Sequence, residues 1–365
     1  MTTPLVTVIM PSYNHEPFVQ DAIDSVLAQV GVDFEFLIED DGSSDGTPRV
    51  IEKVRDPRVR FWPKARNEGA CTTHNNLVKR ARGEFVALIN SDDMWATTDK
   101  LARQVRLMRE RPEVGACFGR ATFVGPDGDP VPDDKLYYGA IFEEPNRSRA
   151  KWLRHFFLRS NCICHPSMLI RRSMYDEIGL YDNRLRQVPD FDLWIRLVKR
   201  HEIHISDEAL VKFRLVEGAN ASAPSVANTT RVMNEHFFLL DRFFDGVGRA
   251  DLLDGFADLL HNPQPREGKE VEVEKALLYF RGEEGLRRMA RIIGLRKVFD
   301  LLGDPEGRAI LADYAIDDHW MHQQLGEYSP FVSFVTAPQP GQQAVQEQPK
   351  PRARPLFRYL SFLRR

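Results

Sequence analysis

Residues 5–14 read LVTVIMPSYN and residues 34–47 read FEFLIEDDGSSDGT. The first six of these are almost all apolar and several are β-branched, the pattern of a parallel strand covered on both faces by helices. Pro11 is expected to end that strand. After the polar turn 12–15, apolar residues recur at Phe18, Val19, Ala22, Ile23, Val26 and Leu27, which is helical spacing on one face. The run 34–38 is then a second strand, entering an acidic turn, and the two strands with their crossover helix form one βαβ unit.

Working outward, the alternation repeats. The pattern predicts a helix over 48–54, a strand over 59–62, a helix over 71–81 stopped by Gly83, a strand over 85–89, a helix over 99–109 and a strand over 114–124. Residues 130–160 are polar, aromatic and poorly periodic, and are expected to form a long loop over the sheet edge. A strand over 164–170, a short helix over 172–178 and a helix over 191–199 follow. The fold class is α/β, a doubly wound, mostly parallel sheet flanked by helices and followed by a helical C-terminal extension. The expected division is a domain over 1–215, a helical region over 216–335, a Pro/Gln-rich linker over 336–355 and a basic amphipathic tail over 356–365.

Composition narrows the function classes. In 365 residues, 50 Lys and Arg face 53 Asp and Glu, a net charge of −3 that supplies no global basic field for a nucleic-acid backbone. Four cysteines make neither a disulfide framework nor a CxxC pair, and the N-terminus lacks the basic start and apolar run of a secretory signal. The expected location is cytoplasmic. The terminal LFRYLSFLRR admits two readings, a peripheral contact with the inner face of a membrane, or a frayed tail or helix packed on another subunit.

Chemistry concentrates at strand ends, where ligands bind in sheets of this kind. Ser91-Asp92-Asp93 places two carboxylates side by side, which repel unless a cation or donors balance them, and hard oxygen ligands suit Mg²⁺ or Mn²⁺. The alternative is a solvated acidic turn. The loop 39–45 (EDDGSSD) offers acceptors for a base edge or ribose hydroxyls, or else caps the following helix. No GxGxxG or Gly-rich basic phosphate loop follows the first strand, which argues against a dinucleotide oxidoreductase or a pyrophosphorylase, and Glu39 stands where a haloacid-dehalogenase-type phosphatase would have its first Asp.

Taken in order, VIMPSYN (8–14), EDDGSSDGT (39–47), ARNEGACTTHNN (65–76) and GEFVALINSDD (83–93) resemble the nucleotide-sugar-binding half of the family-2 inverting glycosyltransferases, which have the GT-A fold. The similarity continues through Cys164-His165-Pro166-Ser167, Gly179-Leu180-Tyr181-Asp182 and residues 188–194 (VPDFDLW), and leaves the last 150 residues unexplained. The resemblance implies transfer of a sugar from a nucleoside-diphosphate donor, UDP-linked in the first instance, to a hydroxyl of a glycan or lipid-linked acceptor. It implies that Pro11, Tyr13, Asn14, Asp40 or Asp41, and the loop carrying Arg66, Asn67 and Gly69 border the nucleotide. Asp93 would hold Mn²⁺ or Mg²⁺, Asp92 would face the sugar and ribose, and Asp190 would be the catalytic base. The family often has an acidic residue before that base, where this chain has Pro189, so Asp192 remains the rival. His165 either touches the diphosphate or is a satisfied core histidine. A module that binds nucleotide sugars or glycans without transfer is the alternative function.

Overall fold

In the computed structural model, which describes residues 3–132, 140–216, 225–281 and 284–327, eight strands form one sheet in the order β3-β2-β1-β4-β7-β6-β8-β5. They are β1 (Val6–Ser12), β2 (Phe34–Asp40), β3 (Val59–Pro63), β4 (Phe85–Leu88), β5 (Met94–Trp95), β6 (Val114–Val124), β7 (Leu169–Arg171) and β8 (Glu202–Arg214). Strands β3, β2, β1 and β4 run parallel, and β6 pairs parallel with β8. Strand β7 is antiparallel to both of its neighbours and β5 to β8, so the sheet is mixed.

The helices of this part are α1 (Val19–Leu27), α2 (Thr47–Ile51), α3 (Ala70–Arg80), α4 (Lys100–Glu110), α5 (Arg149–Arg159), α6 (Met174–Ile178) and α7 (Pro189–Val198). Apolar faces such as Val19, Ala22, Ile23 and Val26 of α1 are fully buried against strand residues Val8, Met10, Phe36 and Ile38. Trp194, on α7, is fully buried and meets Phe118 edge-on at 4.7 Å.

Three sequence expectations need correction. Pro11 lies inside β1, not beyond it. The β4 register stops at Ile9–Leu88, so at Pro11 the strand has only β2 beside it and its missing N–H breaks no ladder on the β4 side. Residues 149–159 of the expected loop are α5, whose Trp152, Leu153 and Phe156 are buried. The expected strand over 164–170 is a 3₁₀ turn, His165–Ser167, followed by the three-residue β7. Strand β8, which the sequence reading left out, is long and carries Arg214 at its end.

The chain divides into two units, residues up to 153 with 161–235, and residues 154–160 with 236 onward. The first therefore extends past residue 215, through most of α8 (Val226–Asp241). The second unit is helical, with α9 (Arg249–Phe256), α10 (Lys269–Leu278), α11 (Glu284–Leu302), α12 (Pro305–Asp313) and α13 (Asp318–Glu327). Its core joins Val273, Leu277, Leu295, Val298, Leu311 and Met321. A second cluster sets Phe157 against Phe243, Phe244 and Tyr279, whose hydroxyl donates to the Leu240 carbonyl at 2.5 Å. The linker over 336–355 and the tail over 356–365 lie outside the described residues. No described helix is long and apolar enough to cross a membrane.

Candidate active site

Strands β1, β2 and β4 run in one direction, so the loops that follow them emerge at one edge of the sheet. Asp40, the last residue of β2, stands opposite Ser12 of β1, and its carboxylate accepts from Ser12 Oγ at 2.9 Å and from Ser43 N and Oγ at 2.8 and 2.6 Å. Asp41 accepts from Lys64 Nζ at 3.0 Å and from the N–H groups of Glu68 and Gly69 at 3.0 and 2.9 Å. Both carboxylates are buried and serve the protein's own donors. The groups that this wall turns to solvent are Tyr13, 43% exposed, with Asn14, Arg66 and Asn67; Pro11 is half-buried at the end of β1. The sequence pointed to Asp40 or Asp41 as the nucleotide contact, and the structure gives both first to holding the loops that present the others.

Asn14 adopts a left-handed backbone (φ +54°) and ties the β1 loop to the β2 loop. Its N–H donates to Ser43 Oγ at 2.8 Å, and its Oδ1 accepts from Ser44 N at 2.8 Å. Lys64, which the sequence reading did not single out, pairs with Glu39, Asp41 and Glu68 at 3.0–3.3 Å. Burial works against its charge, but these three acids outweigh it and hold its pKa above the usual range. The balance matters because Glu39 and Asp41 are themselves buried.

Gly42 carries a strict local requirement. Its φ is +75°, and a Cβ there would lie 2.4 Å from the carbonyl carbon of Arg66 and 2.7 Å from the backbone nitrogen of Asn67. The left-handed conformation alone costs an L-residue roughly 1–2 kcal/mol, and the backbone of the 66–69 loop would have to move away as well. Gly42→Ala is therefore expected to lower the melting temperature by about 2–4 °C per kcal/mol lost and to weaken nucleotide binding. Calorimetry and UDP titration check this, and an unchanged protein by both would refute the role given to the close approach.

The β4 loop carries Asp92 and Asp93. Asp93 is 1% exposed, and its two oxygens accept from Arg214 N and Asn90 Nδ2, both at 2.9 Å. Burial, then the charge of Asp92, push its pKa well above the carboxylate range. The Asp92 side chain is 13% exposed and lies 3.8 Å from His15 Nε2, while His15 Nδ1 is 2.7 Å from Ser91 Oγ. His15 thus joins the β1 loop to the β4 loop, a role its place in a polar turn did not reveal. Arg214, 1% exposed, closes the arrangement from β8: its Nε donates to the Asp92 carbonyl at 2.9 Å, its guanidinium pairs with Asp21 at 2.7 Å and also bonds the Pro126 carbonyl, and it lies over the Phe18 ring.

Whether this donor set suits a divalent cation follows from its chemistry. Two adjacent carboxylates, one inside and one partly open, repel each other, and a hard cation on the open side relieves that repulsion. Among the described residues no three His, Cys, Asp or Glu side chains cluster as a metal cage. One or two carboxylates completed by water and phosphate oxygens is the usual arrangement for Mg²⁺ or Mn²⁺, so the residues fit. The sequence reading had Asp93 as the ligand and Asp92 toward the sugar. The geometry commits both oxygens of Asp93 to Asn90 and Arg214 and makes Asp92 the more open of the two.

Pro189 is the first residue of α7, where its missing N–H costs nothing, and Asp190 is the second. Asp190 Oδ2 accepts from Asn161 Nδ2 at 2.8 Å. Asp192 is buried and bonded to Arg196 at 2.7 and 2.9 Å, and Arg196 also donates to the carbonyls of Ile178, Gly179 and Leu180. The neighbouring His165 has Nε2 2.8 Å from the Tyr181 hydroxyl and stacks on His74 at 5.6 Å. Desolvation pushes its pKa down to about 3, and with Nε2 held by Tyr181 His165 is a neutral, half-buried histidine.

Comparison with known proteins agrees with this architecture. The model of glycosyl transferase family 2 matches residues 7–179. A putative teichuronic acid biosynthesis glycosyltransferase of Bacillus subtilis, TuaG, is 32% identical over 222 residues, which is 60% of this chain and 82% of that protein. An uncharacterized glycosyltransferase of Methanocaldococcus jannaschii is 28% identical over 220 residues, 59% of this chain and 72% of that one. Among solved structures, residues 1–349 of Staphylococcus aureus TarS in complex with UDP-GlcNAc superpose with a TM-score of 0.53 at 19% identity, covering 80% of this chain and 88% of that one. With its GT-A sheet and these relatives, the chain belongs to glycosyl transferase family 2.

Proposed function

We propose that the chain is a metal-dependent inverting glycosyltransferase that moves a sugar from a nucleoside-diphosphate donor, with UDP as the nucleotide, to a hydroxyl of a glycan or lipid-linked acceptor. The observation that carries this reading is the division of labour between carboxylates. Asp192 is paired with Arg196 one helical turn on, whereas Asp190, the second residue of α7, receives an amide from Asn161 on Oδ2.

The nucleoside lies against Tyr13, Asn14, Arg66 and Asn67, with Asp40, Asp41 and Gly69 holding that wall in shape. Asp92, backed by Asp93, would hold Mn²⁺ or Mg²⁺, which when bound stabilises negative charge on the departing diphosphate. Asp190 takes the proton of the acceptor hydroxyl as its oxygen attacks the anomeric carbon. The bond from that carbon to the diphosphate oxygen breaks on the opposite face, the electron pair leaves with the nucleoside diphosphate, and the configuration inverts. UDP-GlcNAc is the first donor to try, because a TarS structure holds it.

The test is a melting-temperature screen with UDP-, GDP- and dTDP-sugars, each with Mn²⁺ and with EDTA, followed by measurement of nucleotide release. A donor at a hundred times its Kd stabilises the native state by about 2.7 kcal/mol. A UDP-sugar is expected to raise the melting temperature more with Mn²⁺ than with EDTA, and slow release of UDP separates a transferase from a binding module. Neither a shift nor release with any donor would end this reading.

A further inference from the structure

Ahead of Asp190, residues 179–188 contain no regular secondary structure, yet both ends of the segment are held. At its start Asn75 of α3 exchanges hydrogen bonds with the Tyr181 backbone, accepting from N at 3.0 Å and donating to O at 2.8 Å. At its end the Glu235 carboxylate, on α8 and 5% exposed, accepts three successive backbone N–H groups: Arg186 at 3.0 Å on Oε1, and Gln187 and Val188 at 2.8 and 3.0 Å on Oε2. Asn228, also on α8, accepts from Gln187 Nε2 at 3.3 Å.

This clamp ends where α7 begins. Val188 is its N-cap (φ −131°, ψ +36°), buried, and followed by Pro189 and Asp190. No side chain of the helix caps it, so the direction in which Asp190 leaves the chain depends on how residues 186–188 are held. Buried backbone N–H groups demand acceptors, and one carboxylate satisfying three of them in sequence defines the path of the segment within narrow limits. Glu235 and Asp190 also share surroundings, since both charges act on the buried Cys71 thiol.

We propose that Glu235 is the positioning residue for Asp190, so that α8, outside the matched family motifs, is part of the catalytic apparatus. This rests on the reading of Asp190 as the proton acceptor. Asn161 holds the carboxylate from one side, and Glu235 sets the backbone from which it projects. Substrate contacts made by the β1, β2 and β4 loops do not involve Glu235, so its loss acts on the chemical step and leaves donor binding in place.

The experiment compares the full chain with Glu235→Ala, Glu235→Gln and Asp190→Asn, measuring UDP release from UDP-GlcNAc, UDP-glucose and UDP-galactose, UDP affinity by calorimetry, and melting temperature. A displacement of about 1 Å at a reacting group costs on the order of a hundredfold, and that is the expected fall in kcat for Glu235→Ala. KM and UDP affinity stay within about twofold, the signature of an interaction felt only in the transition state. Glu235→Gln keeps the shape and one acceptor oxygen, and its kcat lies between the two. A Glu235→Ala protein with native kcat and only a lower melting temperature overturns the proposal. If that variant does not fold, a Glu235→Gln protein with native kcat overturns it. Turnover by Asp190→Asn at the parent's rate refutes the reading of Asp190 as the base instead, and is thereby distinguished from failure of the Glu235 role.

Discussion

Asp190→Asn is expected to lower sugar transfer by about a hundred- to ten-thousand-fold, the range a positioned general base supplies, while UDP affinity and melting temperature stay near those of the parent. The substitution keeps the side chain's shape and can keep an oxygen for the Asn161 amide, so what is lost is the ability to take a proton. Asp192→Asn is the informative partner. Its carboxylate is bonded to Arg196, which also braces the carbonyls of residues 178–180. Its loss leaves a guanidinium with fewer acceptors, and the effect falls on stability more than on kcat. An inactive, fully folded Asp192→Asn beside an active Asp190→Asn would exchange the two roles.

The second large effect concerns the cation. Asp92→Asn is expected to remove the Mn²⁺-dependent part of UDP affinity and to lower kcat/KM by about two orders of magnitude or more, because charge stabilisation by a bound metal is worth several kcal/mol. Affinity measured in EDTA should not change. Asp93→Asn is expected to do less. Its amide can still accept from Arg214 N and can donate to Asn90 if the Asn90 amide turns over, and it removes the charge that burial and Asp92 disfavour. Titrations of UDP with Mn²⁺ and with EDTA rank the two variants. If Asp93→Asn abolishes the manganese increment and Asp92→Asn retains it, the cation belongs on Asp93.

Most of the parallel half of the sheet was legible in the sequence because β1, β2 and β4 are buried almost throughout, and a strand covered on both faces is built mainly of apolar residues, as in 5–10 and 85–89. The helices between them declared themselves by spacing, as in α1 and α4. Short elements did not. β5 has two residues and β7 three, too few to show a period, and α5 buries Trp152, Leu153 and Phe156 within a stretch so rich in charge that it read as a loop.

By itself the sequence determined that acidic and hydroxyl side chains end strands of a doubly wound sheet, because strand ends can be counted along the chain. Which of those acids face outward was decided by the tertiary structure alone. Asp40 and Asp41 look like ligand contacts until Ser12, Ser43, Lys64 and the N–H groups of the 68–69 turn arrive to bond them. Arg214 and Glu235 carry no local mark at all, their partners lying 88 and 47 residues away in the nearest cases. The physical reason is that a carboxylate's role depends on the donors around it and on how far it is buried, and both are set by chain segments that meet only when the protein is folded.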